Sequence, residues 1–407
     1  MRLPILRIAG IVCAAFVFLS CGPREIRYLE RQDLFSLSLG RSEDQIDLFQ
    51  VDSADHNRRA RVFMRQGLVY LADGSANKIM EFNSYGDILS LVYNPEENPQ
   101  PVLLRSNPDN ETLANRRAVG YNFTEVGEIA VTSESWLLVE DRLAEERALF
   151  DENLGVTLNR IVLRFGPEGR LVDYLGQEGV GGTPFPVLSR LTVTNRDEAV
   201  VVSRTLRNWM VFWYDRRGNL LYRADIDLNR LPIPEESEGI IPLLETIIPD
   251  RDEARLYLKI NYYQESVDTG TGSSYGIEST ASRIYWLDLN EGVYSGFVEV
   301  PENVRTVPGP TVFDRSEQRY LYELVGTASG GHLFLLSRED QDQTQLLIMH
   351  TSGRVVRRRY LSLEETDILY RDFHVSPEGV LTALFGYTDH AKVVWWRSDR
   401  FLGRGTE

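Results

Sequence analysis

Lys78-Ile79-Met80-Glu81-Phe82-Asn83-Ser84-Tyr85-Gly86-Asp87-Ile88-Leu89 reads as two strands joined by a tight turn: an apolar segment, a polar turn closing on Gly86, then a second apolar segment. The same order returns at Arg160 to Phe165 with Gly169 and Leu171, and at Trp209 to Tyr214 with Gly218 and Leu220. It returns again at Arg283 to Leu287 with Gly292 and Val293, and at Gln345 to Met349 with Gly353 and Val355. A sixth, weaker copy is Lys392 to Trp396, followed by Ser398-Asp399-Arg400 and Phe401. One such hairpin cannot bury its own apolar face, so recurrence implies units that stack on one another.

Each copy is preceded by another apolar pair joined by a short polar turn. Ile129 to Thr132 leads through Ser133-Glu134 to Trp136 to Val139, and Leu191 to Thr194 leads through Arg196-Asp197-Glu198 to Val200 to Val202. Phe373 to Val375 leads through Ser376-Pro377-Glu378-Gly379 to Leu381 to Phe385. Four strands, A to D, recurring six times predict an all-β, six-bladed β-propeller with four-stranded blades. The C-D hairpin with its aromatic-x-x-x-Gly resembles the NHL repeat, and Ser376-Pro377-Glu378-Gly379 resembles the A-B turn of TolB-like propellers. That resemblance implies the fold and no particular activity. An open ring leaves an exposed edge, and Leu34 to Leu39, with Gln45 to Phe49 behind it, is expected to supply the outer strand of the last blade.

The first twenty residues read as an address. Arg2 and Arg7 precede the apolar run Ile8 to Leu19, which is too short to span a bilayer as a helix. Phe18-Leu19-Ser20-Cys21-Gly22 resembles a bacterial lipobox, in the relaxed form that spirochaete lipoproteins tolerate. The resemblance implies export, removal of residues 1–20 and attachment of lipid at Cys21, so that the chain is held on a bacterial membrane, facing the periplasm or the surface. Cys13 would leave with the signal peptide, and no intrachain disulfide is expected. The domain reading is a signal peptide over 1–20, a lipidated tether over 21–33 and the propeller over 34–407. With 44 Lys and Arg against 60 Asp and Glu, the net charge of −16 disfavours nucleic acid as a partner.

Strands alternate direction within a blade, so B-C and D-A connections lie on one face and A-B and C-D turns on the other. The long connections are Asn94 to Glu125, Asn229 to Pro242 and Pro301 to Gln318 between blades, and Asp141 to Thr157 and Gln264 to Ser282 between strands B and C. All five fall on one face. Binding residues concentrate on loops held by a rigid scaffold, and Asp141, Arg142, Glu145 and Tyr275 are the residues singled out there. The expected partner is another envelope protein.

No catalytic signature stands out. Gly272-Ser273-Ser274-Tyr275-Gly276 matches G-x-S-x-G, but it sits in a Thr/Gly/Ser-rich segment without the following helix that a nucleophile elbow needs. His56, His332, His350, His374 and His390 include no pair at metal-ligand spacing. Asp225 with Asp227, and Asp340 with Asp342, complete no calcium loop. Arg354 to Arg359 is the strongest basic run and is read as an edge guard. On the inner strands the positions read as mostly apolar or Thr, with Asp372 and His374 the two channel residues to inspect. No catalytic residue, metal or cofactor is assigned. The expectation is a non-enzymatic, envelope-anchored scaffold; the alternative is a small-ligand receptor or a metal-dependent hydrolase using the channel, as in lactonase-like propellers. A ring of acids, amides or His on the inner strands would favour that alternative.

Overall fold

The computed structural model describes residues 28–49, 59–104, 116–234, 239–267, 270, 274–308, 315–339, 343–363 and 367–402. Cys21, His56, Gly272, Ser273, Asp340 and Asp342 lie outside them. In chain order the strands are β1 (Tyr28–Leu29), β2 (Gln32–Ser38), β3 (Ala60–Arg65), β4 (Leu68–Asp73), β5 (Lys78–Phe82), β6 (Ile88–Tyr93), β7 (Arg117–Gly120), β8 (Ile129–Val131), β9 (Leu137–Arg142), β10 (Leu149–Asp151), β11 (Val156–Leu158), β12 (Arg160–Phe165), β13 (Leu171–Gly176), β14 (Gly179–Val180) and β15 (Val187–Val193). They continue as β16 (Ala199–Arg204), β17 (Asn208–Tyr214), β18 (Leu220–Asp227), β19 (Ile240–Pro249), β20 (Arg255–Val267), β21 (Ser274–Asp288), β22 (Val293–Glu299), β23 (Asn303–Pro308), β24 (Arg315–Tyr320), β25 (Glu323–Ala328), β26 (His332–Arg338), β27 (Thr344–His350), β28 (Val355–Leu361), β29 (Tyr370–Val375), β30 (Leu381–Gly386) and β31 (His390–Trp396). No helix among the described residues is long and apolar enough to cross a membrane.

Six antiparallel sheets form the six blades of a β-propeller. Their inner strands β3, β8, β15, β19, β25 and β29 touch in that order, and β29 touches β3, so the ring is closed. The B and C strands are the most apolar runs, such as Val200 to Val202 against Val211 to Trp213, because both their faces are covered by neighbouring blades. The buried clusters accordingly lie between blades: Leu347 and Met349 pack with Ile248 and Tyr257 of the preceding sheet. Gly326 shows how close the inner strands come. A Cβ there would lie 2.7 Å from the Cβ of Val375 on the next blade, so no larger residue fits.

The ring closes through the N-terminal segment, as the sequence predicts. β2 pairs antiparallel with β31, from Gln32 opposite Trp395 to Ser38 opposite His390. Ser398 to Phe401, read as the tail of the sixth copy, is a 3-10 turn instead. The chain enters the propeller earlier than the tether reading allows: β1 adds a parallel fifth strand to the preceding blade, with Tyr28 opposite Tyr360, and Gln32 and Asp33 already belong to β2.

Every A-B and C-D turn between described strands is two to five residues long, and the long connections all leave at the other end of the blades. Several of them carry structure that the sequence reading left as loop. Asp141 and Arg142 end β9, a 3-10 turn follows over Glu145–Arg147, and β10 pairs with β11. Gln264 to Ser282 is mostly the far end of a long hairpin, with β20 paired to β21 from Asp288 out to Ser274. Pro301 to Gln318 contains most of a second hairpin, β23 with β24. A β-rich loop and a strand share the same Ser/Thr/Gly composition when no core face is present to impose a two-residue period, which is why these were read as loops.

Candidate functional site: the central channel

Three successive inner strands carry a β-bulge at the same level. The pairing register slips between Leu188 and Arg190 on β15, between Leu244 and Thr246 on β19, and between Leu324 and Gly326 on β25. A bulge turns one side chain out of the regular alternation. The result is that Arg190 and Glu245 join Arg61, Glu128, Glu323, Tyr370 and Asp372 along the axis. The expectation of mostly apolar and Thr positions is therefore corrected: the inner strands present charged groups of both signs, including the acids named above as the pattern that favours a channel ligand. Period-two reading of each A strand fails here because the inserted residue shifts every later position to the opposite face.

The half of the channel nearest the long connections holds a paired network. Arg61 Nε lies 2.5 Å from Glu128 Oε1, and its Nη1 is 3.5 Å from Asp372 Oδ1. The Tyr370 hydroxyl donates to the Ala60 carbonyl. Glu245 accepts from Lys259 Nζ at 2.5 Å, from Asn261 at 2.8 Å and from the Leu324 N–H at 3.1 Å. Burial holds the Lys259 ammonium below its ordinary pKa, against the pull of Glu245. Burial and then the neighbouring Glu245 raise the Glu323 carboxyl, which has no ion-pair partner among the described residues.

The opposite end is closed by Arg251. Its guanidinium donates to three carbonyls from three other blades: Val193 at 2.7 Å, Thr327 at 3.1 Å and Val375 at 3.1 Å. Arg65 bridges Val131 O and Asp197, each at 3.1 Å. Among the described residues no carboxylate pairs with Arg251, and burial lowers its pKa to about 10, with Arg65 and Arg190 adding repulsion. Arginines thus floor the end of the channel away from the long connections.

Asp372 and His374 lie on β29, where the sequence places them, and both serve the seam between the last and first blades. Asp372 Oδ2 accepts the Val62 N–H at 2.7 Å, and His374 Nδ1 accepts the Met64 N–H at 3.1 Å. Burial raises the Asp372 carboxyl to about 6. Burial, then Arg251, Arg190 and Arg65, hold the His374 ring neutral, so its proton sits on Nε2. The ring also packs on Phe63, with centroids 4.2 Å apart.

The loop residues divide. Asp141 is buried and accepts the N–H groups of Thr124 and Glu125, at 3.0 and 2.9 Å, and the partly exposed Arg142 pairs with Glu125 at 3.1 Å, so both organise the adjoining connection. Glu145 is exposed in its 3-10 turn. Tyr275 opens the outer part of β21, and Ser274 to Gly276 run as strand, which rules out the strand-turn-helix geometry of an elbow. His332 and His350 are cross-strand neighbours, ring centroids 5.5 Å apart, and His390 lies against Asp389. Asp227 caps the following turn through the Asn229 N–H, and Asp225 pairs with Arg223. Arg357 and Arg359 stand over the ring of Phe401. Among the described residues, no three His, Cys, Asp or Glu stand close enough to hold a metal ion.

Comparison with protein-family profiles and with curated proteins finds no match. Similar solved structures include a family 25 polysaccharide lyase, an ulvan lyase, at 9% identity and TM-score 0.39, covering 91% of this chain and 84% of that one. A luciferin-regenerating enzyme matches at 8% identity and TM-score 0.34, over 83% of this chain and 89% of its own. A candidate 6-phosphogluconolactonase from Bacteroides fragilis matches at 11% identity and TM-score 0.32, over 83% and 95%. At these scores the likenesses carry no argument about activity, and the fold rests on the six sheets themselves.

Proposed function

We propose that this propeller is an envelope-anchored, lipid-modified scaffold that binds another envelope protein through the face bearing the long connections. The observation that carries the reading is the distribution of exposed apolar side chains. Val102, Phe150, Leu206, Ile233, Ile277 and Leu369 are each more than half exposed, and all six belong to connections or strand ends of that face. On the opposite face Tyr85 and Val172 are also more than half exposed, each beside a C-D turn. A solvated surface gains nothing from apolar groups gathered at one end, whereas a docking surface does. The partner is held through loops on a rigid ring, and anchoring rests on the lipobox-like Leu19-Ser20-Cys21-Gly22.

Crosslinking in intact cells tests the docking face. Wild type is expected to capture a defined envelope protein, and a double variant, Phe150→Ser with Ile277→Ser, is expected to lose it while keeping its melting temperature within a few degrees. Equal capture by the two would sink the docking face as described. Anchoring is tested separately by Cys21→Ala, which is expected to move the protein from the membrane pellet to the soluble fraction.

A further inference from the structure

Arg190 is deeply enclosed near the axis, while the residue as a whole keeps some accessible surface. Its Nη1 crosses from β15 to the bulged Val325 carbonyl on β25, 3.3 Å away. Its Nε is buried without any hydrogen-bond partner. A buried donor left unmade costs about 1–3 kcal/mol and is retained where something else fills the position. With Nη1 spent on Val325, the free edge is the Nε–Nη2 side, two parallel N–H groups at the spacing of a carboxylate.

The surroundings favour an anion at that edge. Arg190 has no carboxylate in ion-pair range among the described residues, and neither has Arg251 beneath it. His374 stands among Arg190, Arg251 and Arg65 and can only donate toward the channel, because Nδ1 is already an acceptor. The upper wall is different: Glu128, Glu245, Glu323 and Asp372 surround the way in. One negative charge can be compensated by Arg190, whereas a dianion would meet the four acids with its second charge unpaired.

We propose that the channel binds a small organic molecule through a single carboxylate, received by the Nε–Nη2 edge of Arg190 with His374 as a further donor. The site lies at the axis of the same face proposed above for docking and rests on different residues, so each reading can fail without the other. Its ligand is a monocarboxylate small enough to pass the acidic ring, and neither a polyanion nor a phosphate ester of higher charge fits the same description.

Calorimetric titration of the full chain with acetate, glycolate and pyruvate, beside inorganic phosphate and citrate, tests this at neutral pH and low salt. Saturable binding of at least one monocarboxylate is expected, tighter than phosphate or citrate. Arg190→Gln, which retains a donor but neither the charge nor the reach, is expected to weaken it by about tenfold or more, the loss of a charged, paired contact. Glu323→Gln is expected to tighten phosphate relative to wild type, since it removes one rim charge without touching the arginine. No saturable binding by any of the three monocarboxylates, undiminished binding in folded Arg190→Gln, or a preference for phosphate over all of them would each overturn the proposal.

Discussion

The Asp372 carboxylate accepts the backbone N–H of Val62 across the seam between the last blade and the first, at 2.7 Å. Inner strands are sheet edges, and an unpaired edge N–H in a buried ring would be costly. The chain solves this with side chains of the neighbouring blade: His374 on Met64, Glu245 on Leu324 and Asp197 on Ser133 do the same at other levels. Charged groups near the axis thus have a structural role before any functional one.

From this, Asp372→Ala is expected to lower stability by about 2–4 kcal/mol, because it orphans the Val62 N–H and removes one of two acids beside Arg61. Asp372→Asn keeps an acceptor of the same shape and is expected to lose less than half as much. Urea unfolding of the two variants decides it, and equal losses would mean that charge alone matters at the seam.

Four buried carboxyls set a pH dependence. Burial raises Asp73, Asp141 and Asp372 to about 6 and Glu140 to about 7. In the unfolded chain these acids titrate near pH 4, so between pH 4 and 7 the folded state holds more protons and stability falls as pH rises. The contribution is fully present below about pH 4 and is lost as each folded pKa is passed. The melting temperature is therefore expected to increase on acidification from pH 7.5 to 5. A melting temperature that falls steadily over that interval would show that the carboxyls paired at normal pKa outweigh these four.

The repeated hairpins were legible because a C strand covered on both faces must be continuously apolar, as in Leu346 to Met349, and because its turn needs a positive-φ residue, such as Gly353 at 86° or Gly218 at 86°. The closing strand was legible through the apolar Leu34, Phe35 and Leu37 of its run. The channel was not. Arg190 and Glu245 face the axis only because a bulge precedes or contains them, and a bulge leaves no mark in composition. Asp141 was misread as a loop contact because an acid near a strand end looks the same whether it caps two buried N–H groups or faces water.

Arg251 offers a test of the channel floor. Replacing it by Met keeps most of the apolar stem but leaves the carbonyls of Val193, Thr327 and Val375 without their donor. A loss of about 2–4 kcal/mol is expected, from unmet buried acceptors offset in part by no longer burying a charge. Hydrogen exchange localises the effect: amides of the inner ends of β15, β25 and β29 should exchange faster, while those of the outer strand β18 should not. Uniform acceleration across all blades would instead indicate that Arg251 supports the fold globally.

Closure by the N-terminal strand gives the last prediction. Leu37 is 4% exposed and packs with Leu384, Ala391 and Val393, while the residues after it are latched to the first blade: Lys78 Nζ donates to Ser42 O at 2.7 Å, and the Asp47 N–H to Asp73 at 2.8 Å. Leu37→Asp places an unpaired charge in that cluster and is expected to cost about 3–5 kcal/mol, the scale of a large core truncation. Leu37→Met changes little volume and should cost less than about 1.5 kcal/mol. The pattern of exchange separates release of one strand from collapse of the ring. If β2 detaches alone, protection is lost at β31 and in the first blade near Lys78, and the third and fourth blades keep theirs. If the seam is indispensable, the Leu37→Asp variant loses protection throughout, because an open ring leaves every inter-blade cluster one boundary away from solvent. The second outcome is expected, since the last and first blades share Leu37, Ile46, Val62 and Leu384 in one buried cluster, and intact protection in the third and fourth blades would refute it.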